Sequence, residues 1–300
     1  MEKATIALNA DHAAYRDVGD GLPLIMLHGF LGDADTWTPL IADLSPHFRC
    51  IAVDLLGFGQ SSKPRLRYTI WHQVEFLHQF IQALGLRHFA LMGHSYGGWV
   101  AAAYSVAATG IGWAPDKSAW APAAKAYTLT IAGERVRHPE AIALLAPAGI
   151  RDDRFVGRYT TLKPLLWETP VVDWAIAALK PMLAIAGKSD RYATIARARR
   201  ALKAQPVAKS FLIDRLKPED AIDTVERFLP RVEVPTVVFA GHQDTTIPLW
   251  HCETYARRLT NGALIGFPEA NHDLPQSHAP AIADHLIQRW ASLIDTFKGI

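Results

Sequence analysis

The sequence predicts an α/β fold, a mostly parallel sheet flanked by helices, with a smaller helical segment inserted late in the chain. Three observations carry this. Short apolar runs alternate with stretches of helical periodicity. The runs end in loops rich in glycine and reactive side chains, as strands of an open parallel sheet do at their carboxyl ends. From about residue 151 to 230 the alternation stops and only helical patterns continue.

Taken in order, Pro23-Leu24-Ile25-Met26-Leu27 is a strand that leads into His28-Gly29-Phe30-Leu31-Gly32. Residues 48–53 form the next strand, ending at Asp54 before a Gly57-Phe58-Gly59 turn. Asp54 is read as the carboxylate that ties this turn down rather than as a catalytic group. Val74, Leu77, His78, Ile81 and Leu84 fall at helical spacing over about residues 70–84. Phe89 to Met92 is a further strand, followed at once by Gly93-His94-Ser95-Tyr96-Gly97-Gly98 and a helix-forming run from Trp99. Ser95 thus stands at the apex of a strand–turn–helix. A nucleophile held there must accept strained backbone angles, and small neighbours leave room for the crossing of strand and helix.

A serine needs a base, and the base an orienting acid. Residues 235–241 read as a buried strand, followed by His242-Gln243-Asp244; residues 263–267 read as another, followed by Pro268-Glu269-Ala270-Asn271-His272. The order Ser95, Asp244, His272, each just after a strand, suits acyl transfer. The N–H groups of Phe30 and Tyr96 are the candidate oxyanion donors, each typically worth about 3–4 kcal/mol of transition-state stabilisation.

These motifs resemble the α/β-hydrolase superfamily in its lid-bearing esterase/lipase-like branch. The matching pieces are His28-Gly29-Phe30, the run from Asp54 to Ser62, Gly93 to Gly98, Gly241 to Asp244, and Asn271-His272. The resemblance implies an α/β-hydrolase core over residues 1–150 and 231–300 and a helical cap over 151–230. It also implies a triad of Ser95, Asp244 and His272 and acyl-enzyme chemistry without a cofactor. Relatives with aspartate at the nucleophile position open epoxides or remove halides, and Ser95 argues against both. Within the cap, Trp167, Trp174 and Leu179 are candidate acyl-contact residues; their alternative role is the cap's own core.

Composition fits a small-molecule enzyme. Half the residues are hydrophobic, and a net charge of +2 gives no footprint for nucleic acid. The arginines of Arg197-Ala198-Arg199-Arg200 read as a solvated helix face. The two cysteines, Cys50 and Cys252, read as free thiols of a reducing compartment, and no signal-peptide pattern opens the chain, so the expected location is the cytoplasm. No metal is expected, because His94, Asp244 and His272 are too widely spaced for a zinc motif. The uncharged run from Ser95 to Pro115 has the length of a membrane span, but its glycines favour a buried helix behind the nucleophile. About thirty residues over 106–137, with Trp113-Ala114-Pro115 and Trp120-Ala121-Pro122, depart from the family pattern. They are assigned either to a flap or subunit contact, which would make the chain a homo-oligomer, or to a loop packed on the body.

The expected activity is hydrolysis of carboxylic esters with apolar acyl or alcohol parts. The alternatives are carbon–carbon bond hydrolysis of a ring-cleavage vinylogous diketone, whose enzymes usually carry Asn or Ser in place of His94, and a ligand receptor on the same scaffold.

Overall fold

The computed structural model describes residues 2–66, 68–110, 136–152, 169–203, 206–207, 210 and 224–298. The chain divides into two compact units: residues 1–62, 69–151 and 222–300 in the first, and 63–68 and 152–221 in the second.

The first unit is built on an eight-stranded sheet. In chain order its strands and helices are β1 (Ala4–Ala7), β2 (His12–Val18), β3 (Pro23–Leu27), a 3-10 turn (Ala34–Trp37), α1 (Thr38–Leu44), β4 (Arg49–Val53), α2 (Ile70–Ala83), β5 (Ala90–His94), α3 (Tyr96–Ala108) and β6 (Ile142–Leu145). In the second unit follow α4 (Val171–Ile185) and α5 (Ser189–Lys203). The chain returns to the first unit with β7 (Thr236–Gly241), α6 (Leu249–Arg258), β8 (Gly262–Phe267), α7 (Leu274–Ser277), α8 (Ala279–Arg289) and α9 (Ala291–Thr296). The strand order is β1-β2-β4-β3-β5-β6-β7-β8. From β4 to β8 all pairings are parallel, while β1 and β2 join antiparallel at one edge.

The central strands β3, β5, β6 and β7 are almost wholly buried, so they read as continuous apolar runs rather than as alternating ones. Edge strand β8 alternates half-buried and exposed positions instead. Helix α2 starts at Thr69 with a reciprocal capping box: His72 Nδ1 accepts from the Thr69 N–H at 3.0 Å. Its Val74, Leu77, Phe80 and Ile81 are buried. Helix α3 carries Gly97, Gly98 and four alanines on buried positions and lies against β5, β3 and β6. It occupies the first half of the uncharged run, as a buried helix directly after Ser95. The segment 111–135, which holds most of the unusual insertion and both of its tryptophans, lies outside the described residues.

The β1–β2 hairpin was not anticipated from the sequence, and it positions more than an edge. Lys3, just before β1, has a buried side chain and places Nζ 2.9 and 3.0 Å from the two carboxylate oxygens of Asp54 and 3.3 Å from Asp33. Asp54 is fully buried, and its oxygens also accept the N–H groups of Ala34 and Gln60, each at 2.7 Å. It therefore does tie down the turn after β4, and it clamps the loop after β3 as well. Burial pulls the Lys3 ammonium down, but the hydrogen bond and charge of Asp54 outweigh this and leave its pKa raised.

Candidate active site

The strand–helix turn at Ser95 has the geometry its sequence demands. Ser95 adopts φ 53° and ψ −113°, a region costly for any residue with a Cβ, by roughly 1–3 kcal/mol. The turn is held from both sides. The Ser95 N–H donates to Leu145 O at 2.9 Å, and its carbonyl accepts from Ala148 N at 3.0 Å and from Trp99 N at 3.1 Å. The flanking glycines supply space rather than unusual angles. A Cβ on Gly97 would run into the carbonyl oxygens of Leu27 and His28, and one on Gly93 into the backbone of Gly97. Because every obstacle is main chain, relaxation is expensive. Gly97→Ala is expected to destabilise the protein by about 3 kcal/mol or more, lowering Tm by roughly 10 °C. A thermal melt within two or three degrees of wild type would show that the crossing is looser than described.

Three residues from distant loops meet at this apex. His272 Nε2 lies 3.0 Å from Ser95 Oγ, and His272 Nδ1 lies 2.7 Å from Asp244 Oδ2. Asp244 is buried, and its other oxygen, Oδ1, accepts the N–H groups of Thr246 and Ile247 at 2.7 and 2.8 Å. With a proton on Nδ1 directed at Asp244, Nε2 presents its lone pair to the serine hydroxyl, the arrangement of a general base. The loops that carry Asp244 and His272 are stitched together: Gln243 N donates to Ala270 O at 2.9 Å, and His242 N to Phe267 O at 3.1 Å. Gly241 permits this approach, since a Cβ there would meet the carbonyl oxygens of Ala270 and Asn271.

The loop after β3 reaches the same place. A Cβ built on Gly29 would lie 3.4 Å from Ser95 Cβ. Phe30 and Tyr96, the expected oxyanion residues, have ring centroids 5.9 Å apart, and each lies 5.9 Å from Phe58. This aromatic cluster packs the loop against the start of α3. His28 fixes the loop from beneath: its Nδ1 bonds Gly29 O at 2.7 Å, and its Nε2 accepts the Leu55 N–H at 3.0 Å. Of the cap candidates, Trp174 is 67% and Leu179 37% exposed on α4. Trp167 lies outside the described residues.

His94 reaches across to the loop that carries His272. Its Nε2 lies 2.7 Å from the main-chain oxygen of His272, 178 residues away, and the two rings stand 4.8 Å apart. Its Nδ1 is buried without a hydrogen-bond partner among the described residues. Burial, and then the neighbouring His272, push its pKa down to about 3. It therefore stays neutral beside the His272 ring. His28 is likewise lowered, chiefly by burial.

A stability prediction follows. For a histidine whose folded pKa lies below the unfolded value of about 6.5, stability is unaffected above that value. It falls as pH drops from there toward the folded pKa, because only the unfolded chain takes up the proton. Loss of a few kcal/mol between pH 6.5 and 4 is expected, and His94→Gln should flatten it. Parallel Tm–pH curves for wild type and variant would contradict this.

Burial raises both thiols, Cys50 and Cys252, to about 12, so neither is a ready nucleophile. Among the described residues, no three His, Cys, Asp or Glu side chains are grouped so as to hold a metal ion, and no helix is long and apolar enough to cross a membrane.

Known proteins share this framework. A family model of the alpha/beta hydrolase fold matches residues 23–112. A haloalkane dehalogenase of Agrobacterium fabrum is 37% identical over 102 residues, which is 33% of this chain but only 31% of the dehalogenase. A 2-hydroxy-6-oxo-6-(2'-aminophenyl)hexa-2,4-dienoic acid hydrolase of Metapseudomonas resinovorans is 26% identical over 250 residues, covering 78% of this chain and 72% of that one. Among solved structures, a meta-cleavage product hydrolase from Pseudomonas fluorescens superposes with a TM-score of 0.67 at 21% identity, over 97% of this chain and 98% of that one.

Proposed function

We propose that this chain of the α/β-hydrolase fold is a serine hydrolase of carboxylic esters with apolar acyl or alcohol parts. The observation that carries this is the continuous hydrogen-bond path from Ser95 Oγ through His272 to the doubly anchored carboxylate of Asp244. Ser95 attacks the acyl carbonyl while His272 Nε2 takes the hydroxyl proton. Asp244 holds the Nδ1 tautomer and stabilises the imidazolium. The N–H groups of Phe30 and Tyr96 hold the oxyanion. His272 then delivers the proton to the leaving alcohol and activates the water that releases the acid. No step requires a cofactor. Acyl contact by Trp174 and Leu179 is part of this reading.

A second reading is carbon–carbon bond hydrolysis of a dienoate, favoured by the length of the match to the Metapseudomonas hydrolase. The two separate on one experiment. Turnover of p-nitrophenyl esters of increasing chain length should be fast, with an optimum that shifts in Trp174→Ala. Preference for a 2-hydroxy-6-oxo-dienoate over every ester, by kcat/KM, would move the assignment to the second reading. Folded protein that turns over neither, yet binds one of them tightly, would move it to a receptor.

A further inference from the structure

The ring of His272 is held from two sides, by Asp244 at 2.7 Å and by Ser95 at 3.0 Å. Its main chain is held differently. Among the described residues, the main chain of Asn271 and His272 takes part in one hydrogen bond, which His94 Nε2 donates to His272 O at 2.7 Å. A carbonyl oxygen only accepts, so Nε2 carries the proton of the His94 ring, which burial keeps neutral. Nδ1 is then a bare acceptor, buried and without a partner among the described residues. That edge of the ring faces the loop after β3, where a Cβ built on Gly29 would lie 2.9 Å from Nδ1 and 3.4 Å from Cε1.

The donor stands on a fixed support. His94 ends β5, pairs with Leu145 of β6 and is only 7% exposed. Its ring therefore lies between two loops, packed on Gly29 at one edge and bonded to the main chain of His272 at the other.

We propose that His94 is a positioning residue whose Nε2–H fixes the main chain of His272, and with it the separation of the His272 ring from Ser95. Asp244 orients the ring, whereas His94 fixes the backbone that carries it. This rests on the reading of Ser95 as nucleophile and His272 as base, and adds to it a residue that acts through His272. Transfer of the serine proton needs hydrogen-bond contact, and a misplacement of about 1 Å can cost about 10²-fold. Side-chain chemistry separates the donor from the bulk. His94→Gln keeps an N–H donor at the position of Nε2. His94→Asn places the donor one bond short, and His94→Phe keeps a ring without a donor.

The test is the rate at which a fluorophosphonate labels the protein, followed by mass spectrometry with peptide mapping. In this step Ser95 Oγ bonds to phosphorus, fluoride leaves, and the hydroxyl proton passes to His272. The rate therefore reads the Ser95–His272 pair whatever the natural substrate. Wild type should be labelled on Ser95. His94→Asn and His94→Phe should be labelled about 10²-fold more slowly, and His94→Gln within about fivefold of wild type. Either of the first two suffices should the other fail to fold. On any p-nitrophenyl ester that wild type hydrolyses, kcat should fall in the same order, with KM within about twofold. Labelling of folded His94→Asn or His94→Phe at the wild-type rate overturns the proposal. So does a His94→Gln protein labelled as slowly as His94→Asn at equal Tm. Folded wild type that is not labelled on Ser95 overturns the underlying reading as well.

Discussion

Ser95→Ala is expected to lower kcat by about 10⁵-fold or more for every substrate the protein hydrolyses, with Tm within a few degrees of wild type. The structure separates the chemical loss from any structural one. In the proposed reaction the Ser95 side chain contributes the attacking oxygen, 3.0 Å from His272 Nε2, while the turn itself is held by main-chain hydrogen bonds to Leu145 and from Ala148 and Trp99. Alanine keeps those bonds. Retention of wild-type turnover by a folded Ser95→Ala protein would remove Ser95 from the reaction.

Asp244→Asn is expected to cost about 10⁴-fold in kcat with little change in KM or fold. The reason lies in the anchoring of the carboxylate. Oδ1 accepts two backbone N–H groups, from Thr246 and Ile247, so an asparagine must place its carbonyl oxygen there. Its NH₂ then faces His272 Nδ1, where Oδ2 now lies at 2.7 Å. A donor in that position forces the proton of His272 onto Nε2, and the ring can no longer accept from Ser95. Asp244→Ala, which frees the ring to choose its tautomer, should be no worse than the isosteric change. If Asp244→Asn stayed within tenfold of wild type, orientation of the imidazole by Asp244 would not be part of catalysis.

Much of this machinery was legible in the sequence, for physical reasons. Strands β3 to β7 are buried on both faces, so each appears as an unbroken apolar run, and the reactive residues follow each run because an open parallel sheet presents its loops at the carboxyl ends. Ser95 was recognisable because the crossing of β5 and α3 tolerates no side chain at positions 93 and 97. The strands β1 and β2 were not legible. β1 is four residues long and mostly exposed, and its pairing with β2 is local and antiparallel. The role of Lys3 carries no local signal; only the folded chain brings it to Asp54, 51 positions on. The placement of His94 was not legible, because its partner is a main-chain oxygen 178 residues away, which carries no side-chain signature. Helix α4 read as a cap element from its tryptophan and aliphatic content, but composition does not say which way such a face points. Its Val171, Trp174, Met182 and Ile185 are exposed.

The most direct measurement is rapid-quench mass spectrometry of the protein during turnover of p-nitrophenyl acetate, with peptide mapping. A transient mass increase of one acetyl group is expected, carried on the peptide containing Ser95 and absent from Ser95→Ala. Turnover with no acyl adduct, or an adduct mapped to another residue, would contradict it.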